Sequence, residues 1–281
     1  METNFKHIFH FNAFQIKIIA LITMTLDHVG AYQTLSFNQT FNDWLRIIGR
    51  IAAPLFLFMV VESLHHTHNK AKYILRLYSA GVIVELLNRI IEKATGAQGF
   101  GNTLPMFFYT SLFIFCIEYI INNRKNIRRI CIACCGLVIP LLFYVLNVIL
   151  PRYGFSEIWY AISLFCPSPF KVDYSILFIL MGISWYFINN KVIDCIILAI
   201  LSLFCFLVPA NYFFNAPSAW LAPAVFNIFE LFANTQWCMC LAIPFIIFYN
   251  GEKGHSLKYL FYIYYPVHVY LLFFIAFIRN F

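Results

Sequence analysis

Residues 11–32, FNAFQIKIIALITMTLDHVGAY, decide the class of this protein. The run is long enough to cross a bilayer core of roughly 30 Å and is apolar almost throughout, yet it carries Lys17 near its start and Asp27 and His28 near its end. Ionisable groups at membrane depth are costly and usually face a partner, a cavity or a substrate path. Something in the fold must offset the cost of Asp27 and His28.

The rest of the chain has the same character. It is 62% hydrophobic and 11% charged over 281 residues, with a mean hydropathy of +0.77, which excludes a water-soluble globular fold. Its apolar runs are continuous, without the ten-residue alternation of an outer-membrane barrel. The first run is longer than the apolar region of a signal peptide and no small-residue cleavage site follows it. The net charge of +7 sits mostly in the connections, where it sets orientation and implies no nucleic-acid partner. Nine cysteines, among them Cys116, Cys195 and Cys205, read as small buried hydrophobes. The groups Cys131/Cys134/Cys135 and Cys238/Cys240 have no second ligand pair at zinc spacing, so no metal site is expected.

Nine spans are expected, near residues 12–32, 46–65, 73–92, 104–122, 129–150, 173–189, 191–209, 234–249 and 257–279. Two further stretches, 155–167 and 219–233, are short or interrupted and could be re-entrant, interfacial or additional spans. Lys70, Lys72 and Arg76 mark one basic connection; Arg124, Lys125, Arg128 and Arg129 mark another; Lys253 and Lys258 mark the last. The positive-inside rule puts all three in the cytoplasm together with the N-terminus and Lys6. The expected fold is therefore an all-α polytopic membrane protein, a helical bundle of about nine to eleven transmembrane helices with a cytoplasmic N-terminus. Residues 1–281 read as one membrane-embedded domain, in the bacterial inner membrane and in contact with lipid.

Helix geometry relates the ionisable residues to one another. Eleven steps of 100° bring Lys17 and His28 to within roughly 20° of one face, about 16 Å apart along the axis. A cation at the cytoplasmic mouth and a base deeper in suit a site that admits an anionic donor; a snorkelling lysine and a hydrogen-bonded histidine are the plain alternative. Asp27 points about 100° away from His28 and needs a partner on another helix. Arg46 and Arg50 lie four apart on one face of the second span, and Gly49 between them permits close approach, so an Asp27–Arg50 pair is reasonable. Glu62, further along, could meet Lys17 or Arg76. His65, His66 and His68 read as a solvated cluster at a helix end. Glu85, followed by Asn88, could face a cavity or neutralise an arginine of the second span, and Asp173 opens a span. In YNGEKGHSLK (249–258), Asn250, Gly251 and Gly254 permit positive φ, so backbone N–H groups could gather round an anion beside Lys253 and Lys258. His268, after Pro266, is a second intramembrane histidine; with Glu85 it makes a candidate second site.

Three segments together carry a resemblance: KIIALITMTLDHVG (17–30), LRIIGRIAAPLFLFMVVESLHHTHNKAKYILRL (45–77) and IPFIIFYNGEKGHSLKYLFYIYYPVHVYLL (243–272). They resemble the TraX family, whose founding member acetylates the N-terminus of F-pilin, and more distantly the transmembrane acyltransferases, which carry a basic residue and a histidine at the spacing of Lys17 and His28. The middle of the chain, from about 102 to 234, carries little of the pattern. The sequence reads VESLHH where the family has a glycine and VELLN where it usually has a serine.

The resemblance implies an acetyltransferase that takes acetyl-CoA from the cytoplasm and acetylates an amine or hydroxyl acceptor, such as a pilin or peptide N-terminus or a glycan. His28 would be the general base or acetyl carrier, with Asp27 beside it. Lys17, Arg46, Arg50, Glu62, Asn250, Gly251, Lys253 and Lys258 would hold the donor end. A homodimer is compatible with this reading. The rival expectations are a proton- or solute-coupled transporter relaying through Asp27, His28, Glu85 and His268, and a non-enzymatic subunit for pilus or peptide maturation whose polar residues join helices.

Overall fold

The structure, a computed structural model, describes residues 10–33, 38–97, 100–170, 172–207, 235–255 and 258–279. Lys6 and the stretch 219–233 lie outside the described residues, as does the side chain of Lys258. The described chain is helical, and its one isolated β-bridge joins Phe11 to Tyr249. In order the helices are α1 (Ala13–Tyr32), α2 (Gln39–Gly49), α3 (Ala52–His66), α4 (Lys70–Thr95), α5 (Leu104–Asn122), α6 (Ile127–Arg152), α7 (Ser156–Ser163), α8 (Ser175–Ile188) and α9 (Lys191–Leu207). A 3₁₀ segment, Thr235–Ala242, then runs into α10 (Ile243–Ile247), and α11 (Lys258–Arg279) closes the chain.

The expected spans fall on helical segments, but 46–65 is divided between α2 and α3, and 234–249 covers the 3₁₀ segment and the five-residue α10. Five stretches among the described residues are long and apolar enough to cross a membrane: α1, Gln39–His66, α5, α6 and Leu260–Arg279. The helix Lys70–Thr95 has the length but carries Lys, Arg and Glu along it, and the apolar stretches Ile176–Ile188 and Thr235–Ile247 are shorter. The stretch 155–167 forms only the eight-residue α7, too short to cross. Large apolar side chains face outward along α6, where Ile127 and Ile132 are 74% and 63% exposed, as on a lipid-facing surface. Cys131, Cys134 and Cys135 share that exposure, which corrects the reading of every cysteine as a buried hydrophobe.

By its contacts the chain separates into two compact units, residues 1–59 with 188–281, and residues 60–187. In the first unit α1 packs against α2 and α11, and α9 against the 3₁₀ segment and α10. Ile16, Leu55, Leu57, Leu198, Met239 and Ile246 are fully buried there. α1 begins at a capping box: Asn12 accepts from the Gln15 N–H at 2.9 Å, and the Gln15 side chain accepts from the Asn12 N–H at 2.9 Å. The expected span 46–65 is interrupted at Arg50 and Ile51, and Pro54, four residues after Arg50, has no N–H to donate to the Arg50 carbonyl.

In the second unit α5 packs against α4 and α6, and α6 against α7. Its core holds Leu64, Met106, Tyr109, Ile114, Ile179 and Trp185. Lys70 at the start of α4 donates to Glu118 at 2.5 Å and to the Tyr186 hydroxyl at 2.7 Å, and His65 stacks on Tyr186 with centroids 4.2 Å apart. Burial works against the charge on Lys70, but the hydrogen bonds to Glu118 and Tyr186 outweigh it and raise its pKa above that of an ordinary lysine. These contacts give His65 a packing role.

α1 and α2 approach closely at two glycines. A Cβ built on Gly49 would lie 2.2 Å from the Cβ of Asp27, and one on Gly30 would lie 2.7 Å from the Asn42 carbonyl oxygen. Gly49→Ala must therefore push the two helices apart. A loss of about 1–3 kcal/mol is expected, measured as unfolding in detergent. Gly81→Ala on α4, whose nearest atoms stand at 3.5–3.7 Å, should change stability little.

Candidate functional site

The first unit brings Asp27, His28, Arg50 and His268 into two connected arrangements, one on each side of α1. Because Asp27 and His28 are adjacent on a helix, they face different neighbours. Asp27 meets Arg50 in an ion pair, their side chains 13% and 10% exposed. Arg50 also donates through Nη1 to Gln236 Oε1 at 3.2 Å and through Nε to the Arg46 carbonyl at 3.3 Å. The guanidinium fork is thus spread over an anion and two neutral acceptors, tying α1, α2 and the 3₁₀ segment together. The Asp27–Arg50 pairing follows the sequence expectation; Gln236 is an addition that spacing does not reveal.

His28 faces α11. Its Nδ1 lies 2.8 Å from His268 Nε2, and His268 Nδ1 lies 2.7 Å from the Tyr264 carbonyl oxygen. A carbonyl can only accept, so His268 carries its proton on Nδ1. In the neutral pair His268 Nε2 is then the acceptor, His28 Nδ1 holds the proton, and His28 Nε2 keeps its lone pair. The same element holds this chain from the side: the Tyr264 ring stacks on His268 at 4.9 Å, and its hydroxyl lies 2.8 Å from Thr25 Oγ1. Thr25 already donates to the Leu21 carbonyl at 2.8 Å, so the tyrosine is the donor to it. Asp27, Arg50 and Arg46 are the nearby charges that act on His28, together with His268.

His268 therefore belongs with His28. Glu85, the other member of the expected second site, lies in the second unit and pairs with Arg89, one turn along its own helix, at 3.0 Å. Glu62 likewise lies in the second unit, 3.6 Å from His66, and Lys17 rests over the Phe261 ring at 5.7 Å. Of the four residues in the expected proton relay, His28 and His268 meet, while Asp27 and Glu85 are each held by an arginine.

The start of α1 forms the other end of the unit. The loop 248–255 docks on it: Phe11 N–H donates to the Phe248 carbonyl at 2.9 Å, Asn250 N–H to Phe11 at 2.9 Å, and Ala13 N–H to Glu252 at 2.8 Å. Gly251 and Gly254 have φ of +83° and +64°, as expected, and a Cβ on Gly254 would strike Asn12 Oδ1 at 2.6 Å. The Asn250 N–H is spent on Phe11, and the Asn250 amide bonds the Glu252 carboxylate at 2.9 Å, so those groups do not ring an anion as the turn suggests. What remains is charge. Lys253 acts electrostatically on Lys17, and Lys191, which the sequence reading passes over, donates to the Tyr249 carbonyl at 2.5 Å. Two ammonium groups in mutual repulsion are stabilised by an anion placed near both.

An intramembrane histidine pair, an ion-paired arginine behind it and a basic loop at the start of the same helix define a polytopic helical membrane protein with a built polar site. The chain belongs to the TraX family: the family described as TraX protein matches residues 13–276, including the middle region that the sequence motifs leave blank. A probable fimbrial assembly protein, FimC of serogroup H1, from Dichelobacter nodosus is 44% identical over 75 residues, 27% of this chain. The match spans 30% of that relative's length. No solved structure matches the chain.

The ion pair makes a quantitative prediction. Removing one partner leaves the other buried and uncompensated, so Asp27→Ala or Arg50→Ala should each destabilise by about 3 kcal/mol. The double variant should lose much less than the sum, and a double-mutant cycle of unfolding in detergent measures the coupling.

Proposed function

We propose that this protein is an integral acetyltransferase of the bacterial inner membrane, moving acetyl from cytoplasmic acetyl-CoA to an amine or hydroxyl acceptor. The observation that carries the reading is the hydrogen-bond chain from the Tyr264 carbonyl through His268 to His28, which leaves a lone pair on His28 Nε2. Membership in the TraX family and the similarity to a fimbrial assembly protein favour a peptide or pilin N-terminus as acceptor. The basic connections favour nine to eleven spans with the N-terminus, Lys17 and Lys253 on the cytoplasmic side.

In this reading His28 Nε2 accepts the proton released as the acceptor nitrogen or oxygen bonds the acetyl carbonyl carbon. It returns that proton to sulfur when the carbon–sulfur bond breaks, so His28 ends the cycle as it began. While His28 is protonated, His268 Nε2 accepts the Nδ1 proton's hydrogen bond and spreads the charge. Arg46 contributes positive potential near His28, while the charge of Arg50 is balanced by Asp27. Lys17, with Lys253, holds the donor's phosphates roughly 16 Å along α1 from His28, a separation that an extended pantetheine arm bridges. Bound acetyl-CoA supplies the activated acetyl group; the residues supply position, charge and a base.

The test is transfer from radiolabelled acetyl-CoA to peptide amines by protein in nanodiscs. His28→Ala should lower kcat by about 10²–10⁴-fold with folding intact. Lys17→Glu should raise the KM for acetyl-CoA more than it lowers kcat. Full turnover in His28→Ala would overturn the reading.

A further inference from the structure

A base alone does not complete the site around His28. When a nucleophile adds to an acyl carbonyl, negative charge develops on the carbonyl oxygen, and a donor already fixed at that oxygen stabilises it without reorganisation. Most donors around His28 are committed. Arg50 is spread over Asp27, Gln236 and the Arg46 carbonyl. The Tyr264 hydroxyl is given to Thr25, Thr25 to the Leu21 carbonyl, and His268 Nδ1 to the Tyr264 carbonyl.

Tyr32 is different. It stands four residues after His28, about 40° round α1 and so on the same face. Helical side chains lean toward the N-terminus, which lays the Tyr32 ring back over the turn that carries His28. The two rings stack with centroids 6.0 Å apart and planes at 30°, and the Tyr32 ring also meets Phe273 of α11 edge-on at 6.2 Å. The ring is thus held by α1 and α11, the two helices that hold the histidine pair. Its hydroxyl makes no hydrogen bond among the described residues, and the side chain is only half-buried.

Arg46 also acts on His28, but from the far side of α1. Its Cγ would lie 3.1 Å from a Cβ on Gly30, and Gly30, two residues after His28, faces about 200° away from it. Arg46 lends potential at range; Tyr32 is placed to touch. The charge of Asp27, which also reaches Tyr32, is balanced by Arg50. A neutral phenol further suits this depth, because it donates a hydrogen bond without adding a charge to desolvate.

We infer that the Tyr32 hydroxyl donates the hydrogen bond that stabilises the oxyanion of the transferred acetyl group, as a second catalytic residue beside His28. The inference rests on the acetyltransferase reading. The acceptor's lone pair forms the bond to the carbonyl carbon, the C=O π pair moves onto oxygen where the Tyr32 O–H meets it, and the acceptor's proton passes to His28 Nε2. The oxygen pair then re-forms the C=O as the carbon–sulfur bond breaks; sulfur leaves with the bonding pair and takes the proton from His28. Tyr32 keeps its own proton throughout.

The test compares the unmutated protein in nanodiscs with Tyr32→Phe, which keeps the ring against His28 and Phe273 and removes only the hydroxyl. For transfer from acetyl-CoA to a peptide amine, kcat should fall about 10²–10³-fold, while the KM for acetyl-CoA changes less than about twofold. A ring needed only for packing would leave kcat unchanged. The direct probe is the dethia analogue of acetyl-CoA, a ketone with a methylene in place of sulfur, which binds without reacting. Its carbonyl stretch should lie below the apolar-solvent value when bound to the unmutated protein and return toward that value in Tyr32→Phe. Equal kcat in the two proteins, or a stretch at the apolar-solvent value in the unmutated protein, would overturn this inference alone. An unmutated protein that neither transfers acetyl nor binds the analogue would overturn the acetyltransferase reading and this inference with it.

Discussion

Asp27 reaches Arg50 because Gly49 has no side chain. That contact brings α1 and α2 to their closest approach, and it fixes the rotation of α1. With Asp27 turned onto α2, the next residue must point about 100° away, which aims His28 at α11 and at His268. The costly dipeptide is thus divided: the carboxylate locks the scaffold and the imidazole is left for a proton. Had Gly49 been larger, Asp27 would lose its cation, and the alignment of His28 with His268 would go with it.

The hydrogen-bond chain on α11 then decides what His28 presents. A backbone carbonyl is a fixed acceptor, so it sets the tautomer of His268 and, through it, that of His28. No second carboxylate is needed to orient the base, and placing one there would add another charge to desolvate. The basic end of the same helix completes a gradient of charge along α1, from the Lys17–Lys253 pair at its start to the Asp27–Arg50 pair near its finish. Both ends are built by the first unit alone.

Much of this was legible in the sequence because it is helical and local. Continuous apolar runs mark a helical membrane protein, and the 100° offset of Asp27 with the i, i+4 spacing of Arg46 and Arg50 points to the ion pair. Gly251 and Gly254 announce positive φ. What escapes is contact between distant segments. His28 and His268 are 240 residues apart, and no periodicity within either helix says that they meet. Gln236 and Lys191 are hidden for the same reason, each acting on a group in another segment. Glu62 shows the limit of depth as a guide: depth along a helix does not fix azimuth, and within its own unit Glu62 meets His66. The Glu85–Arg89 pair, by contrast, is written in the sequence at i, i+4 spacing.

The central claim is that His28 offers an unprotonated Nε2 because the Tyr264 carbonyl orients the pair. Nitrogen-15 magnetic resonance on ring-labelled histidine in nanodiscs reads this directly. A neutral His28 protonated on Nδ1 with a bare Nε2 is expected, and a mixture of tautomers once His268 is replaced by Phe. A His28 protonated on Nε2 in the unmutated protein would contradict it.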